Sequence, residues 1–157
     1  MKLSECFAED DIIAALTATD KVGVIHEMIR HLCDTGSVPK KQAAGIERTV
    51  MRREDRGTTG IGKGVAIPHA KHTGIRGTVG CFARARDGIE YEALDGQPVT
   101  LIFLLVSAPD AVDPHVEALR KITELIKDDD FCAFMRRAKD RAELVELLRE
   151  SNERFGG

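Results

Sequence analysis

Residues 99–106 read Val-Thr-Leu-Ile-Phe-Leu-Leu-Val, with no alternation of apolar and polar side chains. A run this short that is apolar on both faces, rich in branched and aromatic residues, is a central strand that must be covered on both sides. At Leu101–Val106 the strictly apolar stretch ends far short of the roughly 20 residues that cross a bilayer. The rest of the fold has to supply two covering layers. A second strand, Gly77–Ala85, lies upstream, and Asp87-Gly88 and Asp95-Gly96 mark turns between the two.

The covering layers come from both ends of the chain. Asp20 caps a helix whose apolar residues Val24, Ile25, Met28, Ile29 and Leu32 recur at three- and four-residue spacing until Gly36. A second helix is predicted from Pro39, in its first turn, through Ile46 and Val50 to about Glu54. After Ser107 the pattern is helical to the end. Asp113-Pro114 supply a cap and a first-turn proline for a helix bearing Val116, Leu119, Ile122 and Ile126. Phe131–Ala138 forms a short helix, and a last one follows Asp140 before a Gly156-Gly157 tail. The expected fold is an α/β (α+β) sandwich, with a mixed central sheet of about four to five strands flanked by helices. At 157 residues it is expected to be one domain, long enough to bury a core without disulfides or a structural metal.

Composition excludes several functions. The net charge of −3 gives no basic footprint for nucleic acid, and one Tyr with no Trp leaves no base-stacking platform. The four cysteines, Cys6, Cys33, Cys81 and Cys132, are far apart and form no CxxC pair, the pattern of isolated thiols in a reducing compartment. Glu5, Glu9, Asp10 and Asp11 stand where a signal peptide would need a basic start. The chain is expected to be cytoplasmic, without insertion into a membrane.

Gly57–Gly64 nearly spells the phosphate-binding loop GxxxxGK[ST], but Gly64 takes the hydroxyl position and a strand-like Val-Ala-Ile stopped by Pro68 follows where a helix is required. The informative residue is the next one. His69 follows a short strand and a proline, so its backbone is fixed, and small residues at 57, 60, 62, 64 and 70 leave room for another backbone or another protein. An imidazole is a good nucleophile near neutral pH and can carry a covalent intermediate. His72 completes an HxxH pair with it, but two ligands without a carboxylate make a poor metal site. His26 and His31 lie within the first helix and read as structural or surface residues.

The stretch Thr59-Gly-Ile-Gly-Lys-Gly-Val-Ala-Ile-Pro-His69 resembles the type 2 IIA domains of the bacterial phosphoenolpyruvate-dependent phosphotransferase system, which include fructose and mannitol IIA domains and nitrogen-related IIA proteins. The resemblance covers nearly the whole chain. It implies a mixed sheet flanked by helices, and His69 as phosphoryl acceptor. It further implies a second histidine 46 residues on, matched by His115, an arginine near the end of the preceding helix, matched by Arg53 between Arg52 and Arg56, and loop hydroxyls, matched by Thr58 and Thr59. Lys63 stands where relatives often have Asn or Glu, and Ala70 where Gly is common; both bear on partner preference.

The implied donor is a phosphorylated histidine carrier protein, the implied acceptor a IIB domain or a regulated target protein, and the implied step uses no metal or nucleotide cofactor. No IIB, IIC or carrier segment lies within these residues, which leans toward the nitrogen-type regulatory branch. The alternative is a protein-binding module that has lost phosphotransfer; the presence of both histidines and Arg53 argues against it. Residues 40–76 carry nine Lys or Arg against three acids, a balance of +6 that leaves −9 on the other 120 residues. The near-neutral average therefore conceals a basic segment around His69.

Overall fold

The computed structural model describes residues 3–154. Its centre is a hydrogen-bonded pair of long antiparallel strands, β5 (Thr78–Ile89) and β6 (Val99–Ser107). Four short strands complete a six-stranded mixed sheet. Strand β1 (Ile12–Ile13) runs parallel to β5 on one edge, while β3 (Val65–Ala66) and β4 (His69–Lys71) run parallel to successive parts of β6 on its other side, and β2 (Gly60–Gly62) pairs antiparallel with β3. The sheet thus has one or two strands more than expected. The additions are two- and three-residue pieces whose pairing is decided by neighbours remote in sequence.

Strand β6 alternates its side chains between two cores. Ile102, Leu104 and Val106 face one layer, built with α2 (Lys21–Asp34) and α3 (Ala43–Asp55). Leu101, Phe103 and Leu105 face the other, built with α1 (Leu3–Cys6), α4 (Val112–Ile126), α5 (Asp129–Arg137) and α6 (Arg141–Arg154). All six are fully buried, which is why the strand has no polar face to show in its sequence. Each contributes about 1.5–3 kcal/mol of hydrophobic stabilisation.

Two helix starts fall where their caps predict. The Asp20 carboxylate accepts from the N–H of Gly23 at 2.7 Å, and that of Asp140 from Glu143 at 2.9 Å. Gly36, at φ +85°, follows the end of α2. Three expectations are corrected. Pro39 is extended and precedes a 3₁₀ turn, Lys40–Gln42, so α3 proper begins at Ala43. Helix α4 starts at Val112 with Ala111 at its cap position, which makes Asp113 a first-turn residue with no side-chain cap bond. Asp87-Gly88 does not end a strand: β5 continues through it with a shift of register between Arg84 and Ile89, and Gly88 at φ +76° absorbs the irregularity. The Gly156-Gly157 tail lies outside the described residues.

One buried charge ties the sheet to the second helical layer. Arg84 on β5 is 1% exposed, and its guanidinium donates to the carbonyls of Ala14, Met135 and Ala138. A cation at the C-terminal end of α5 interacts favourably with that helix's dipole, while burial lowers the Arg84 pKa from its ordinary value.

Candidate functional site

The segment that nearly spelled a phosphate-binding loop is a β-hairpin. Lys63 at φ +59° and Gly64 at φ +76° are the two central residues joining β2 to β3, the left-handed pair that a tight hairpin turn requires. The backbone N–H of Lys63 donates to Asp95 at 3.1 Å. Beyond the hairpin, Ile67 and Pro68 interrupt the edge between β3 and β4, and His69 resumes it opposite Leu105.

A buried polar cluster holds this hairpin against the end of α3. Glu54, 6% exposed, accepts hydrogen bonds from the N–H and hydroxyl of Thr59 and from the Tyr91 hydroxyl at 2.6 Å, with Lys21 3.6 Å away. Burial first, and then the Glu54 charge, raise the Tyr91 pKa well above its ordinary value, so the phenol stays a donor. Gly60 fits because no side chain is possible there: a Cβ would stand 2.9 Å from the Ala93 backbone. The order then passes along the chain. The Thr59 carbonyl accepts from the N–H of Ile67 at 3.0 Å, and the Ile67 carbonyl meets His69 Nδ1 at 2.8 Å.

That last contact assigns a proton. A carbonyl oxygen only accepts, so Nδ1 carries a hydrogen, and in the neutral ring Nε2 keeps its lone pair. Facing His69 across 5.7 Å, centroid to centroid and tilted by 57°, is the ring of His115 on α4. His115 is buried, and its Nδ1 lies 2.7 Å from the Ser107 hydroxyl at the end of β6. Burial, followed by the charges of His69 and Lys71, lowers its pKa to about 4, so the imidazole is neutral at neutral pH.

A cavity of about 530 Å³ opens onto both rings, lined also by Thr49, Arg52, Arg53, Arg56, Ala70, Lys71 and Leu119. Three arginines and a lysine thus line the cavity onto which both imidazoles open. The spacing 49, 52, 53, 56 is one face of α3 and its continuation, a signal available in the sequence. Sequence reasoning singled out Arg53 and left Arg52 and Arg56 as neighbours, and it gave Lys71 no role. Arg53 Nη1 also donates to the Gly57 carbonyl at 2.9 Å, which fixes it beside the helix end.

The remaining candidates fall elsewhere. Thr58 and Thr59 are not among the cavity-lining residues: Thr58 accepts from Gly60 N–H at 3.1 Å within its own turn, and Thr59 is bound to Glu54. Helix α4 offers less to an anion than its N-terminus suggests. Pro114 has no N–H, that of His115 donates to the Ala111 carbonyl at 3.2 Å, and Asp113 adds a negative charge to the first turn. Attraction for an anion comes from α3 instead. His72 accepts from Gly74 N–H through Nδ1 at 2.9 Å, His26 pairs with Glu47, and His31 bonds the Asp10 carbonyl. Among the described residues, no three His, Cys, Asp or Glu side chains are grouped to hold a metal ion, and no helix is long and apolar enough to cross a membrane.

A family model described as the EIIA 2 component of the phosphoenolpyruvate-dependent sugar phosphotransferase system matches residues 5–151. A nitrogen regulatory protein of Bradyrhizobium diazoefficiens is 32% identical over 149 residues, covering 94% of this chain and 95% of that protein. The fructose-specific EIIABC component of Bacillus subtilis is 31% identical over 150 residues; these are 96% of this chain, which spans only 23% of that protein. Among solved structures, the nitrogen regulatory protein IIA-Ntr of Neisseria meningitidis superimposes with a TM-score of 0.84 at 28% identity, covering 93% of this chain and 98% of that one.

Proposed function

The chain belongs to the EIIA type 2 family of the phosphoenolpyruvate-dependent sugar phosphotransferase system, and on that premise we propose that it is a phosphocarrier that takes a phosphoryl group on His69 Nε2. Members of this family are phosphotransfer components. The observation that carries the reading is the Ile67 carbonyl on Nδ1, which leaves Nε2 as a lone-pair nucleophile directed to a cavity with four cationic side chains.

The donor is the phosphohistidine of a histidine carrier protein. A bond forms between His69 Nε2 and phosphorus as the donor's N–P bond breaks, its electron pair returning to the donor imidazole. The Nδ1 proton stays on its bond to Ile67, and the carbonyl stabilises the positive charge that the ring gains as the new bond forms. The transition state is loose, so the protein contributes in-line positioning and charge on the three equatorial oxygens. Arg53, held by Gly57, with Arg52, Arg56 and Lys71, supplies that charge, and His115 approaches the same oxygens. Thr58 and Thr59 act through loop geometry rather than by touching the phosphoryl group.

The group then passes to a IIB domain, or the phosphorylation state itself is read by a regulated protein in the cytoplasm. Similarity to the nitrogen regulatory proteins of Bradyrhizobium diazoefficiens and Neisseria meningitidis supports the second output. Incubation with phosphoenolpyruvate, enzyme I and the histidine carrier tests the core reading. Stable phosphate is expected on the wild type and none on His69→Ala; a wild type that takes up none refutes the carrier and leaves a binding module.

A further inference from the structure

His69 and His115 face each other with their inner nitrogens held by different chemistry. Behind His69 is a backbone carbonyl, which accepts and never donates, so in the neutral ring the outer nitrogen is bare. Behind His115 is the Ser107 hydroxyl, which is able to donate. Ser107 is fully buried, and Thr78 Oγ1 lies 3.0 Å from its oxygen across the β5–β6 pair. At 2.7 Å the contact between Ser107 Oγ and His115 Nδ1 is a hydrogen bond in which the hydroxyl is able to donate to the ring nitrogen. With Thr78 donating to Ser107 and Ser107 to Nδ1, the three groups form one directed chain. Among the described residues nothing bonds the remaining nitrogen, Nε2.

Resting on the phosphocarrier reading above, we propose that Ser107, backed by Thr78, is a positioning residue that fixes His115 in the Nε2–H tautomer, so that a neutral imidazole donates a hydrogen bond to the phosphoryl oxygens on His69. Phosphoryl oxygens only accept. A histidine with a bare Nε2 would repel them unless it took up a proton, and burial opposes that protonation. The hydroxyl removes the conflict: the ring becomes a donor without becoming a cation. The two imidazoles are thereby opposite in polarity, one a nucleophile and the other a donor, through the single difference between a carbonyl and a hydroxyl behind them.

The test reads the tautomer directly, by proton–nitrogen correlation of the histidine rings in ¹⁵N-labelled, unphosphorylated protein at neutral pH. His115 is expected to show a protonated Nε2 and an unprotonated Nδ1; the reverse overturns the proposal whatever the kinetics show. In Ser107→Ala the His115 tautomers are expected to mix, and transfer of phosphate from His69 to a IIB acceptor to slow about tenfold or more, the loss of one hydrogen bond worth about 1.4 kcal/mol. Ser107→Thr, which keeps the hydroxyl, is expected to restore both. A folded Ser107→Ala protein with an unmixed tautomer and wild-type transfer refutes the role. If Ser107→Ala does not fold, the wild-type spectrum still decides. A wild type that accepts no phosphate but shows Nε2–H refutes the carrier reading and not the tautomer.

Discussion

The Glu54 cluster lends itself to a quantitative test through Tyr91→Phe. Tyr91 is fully buried, and its ring is kept by the substitution, including the approach of Lys21 Nζ at 4.5 Å from the ring centre. Only the hydroxyl goes. Both the Tyr91 and Thr59 hydroxyls reach Glu54 Oε1, and a carboxylate can only accept, so each spends its proton there. The 3.0 Å approach between the two hydroxyl oxygens therefore contributes no bond of its own. Tyr91→Phe removes one charge-assisted hydrogen bond of 2.6 Å and leaves the Thr59 N–H, the Thr59 hydroxyl and Lys21 in place. Such bonds are worth about 1.5–3 kcal/mol, and the expected loss is about 2 kcal/mol. In a protein of this size that corresponds to a fall in Tm of about 4–8 °C. Urea unfolding followed by circular dichroism is expected to show a lower midpoint with an unchanged slope. A loss below about 0.5 kcal/mol refutes the reasoning, since it would mean that the bond contributes less than an ordinary neutral intramolecular one.

His115 gives a prediction in pH. Its folded pKa of about 4 lies below the ordinary value near 6.5, so between these the unfolded chain binds a proton that the native protein does not, and stability falls as pH drops through that window. His115→Gln is expected to lose less of its urea midpoint between pH 7 and pH 5 than the wild type; an equal loss in both contradicts the assignment. At the hairpin, Lys63→Asn is expected to gain about 0.5 kcal/mol in the same assay, because Asn tolerates φ near +59° better than Lys does. The ion pair with Asp129 given up in that variant is exposed and worth little. A loss of stability would show that the pair outweighs the strain.

What was legible in the sequence is what local chemistry decides. The double-faced run at 99–106, the Asp20 and Asp140 caps and the fixed backbone of His69 each depend on residues within a few positions. What escaped depends on distant partners. Strands β1, β2 and β4 are too short to have a period of their own and exist because β5, β3 and β6 offer edges. Thr59 is one of the loop hydroxyls that the family resemblance matched, and where it points is set by Glu54 and by Tyr91, 32 residues away. Ser107 showed nothing in the sequence beyond the end of a strand. Arg52 and Arg56 were readable beside Arg53, since positions 49, 52, 53 and 56 share a helical face.

On the phosphocarrier reading proposed above, the site must release what it accepts, and this constrains how its charges are arranged. A phosphoryl group brings a charge of about −1.5 to −2, whereas the cavity already has four cationic side chains along its lining. A cationic His115 would add a fifth charge at the point of closest approach, in the most buried part of the site, where attraction is least screened. The phosphorylated state would then be held too deeply to pass on. On that reading the two tasks are separate: Arg52, Arg53 and Arg56 at the end of α3, with Lys71 on β4, supply attraction, and two short, anchored imidazoles supply direction. Because the attraction is exposed, salt weakens it for incoming and outgoing partners alike, while the tautomers, set by Ile67 and Ser107 beneath the surface, do not change with ionic strength. On the proposed reading the basic balance of residues 40–76 affects how partners meet the site, and the carbonyl and hydroxyl behind the rings select the atom that reacts.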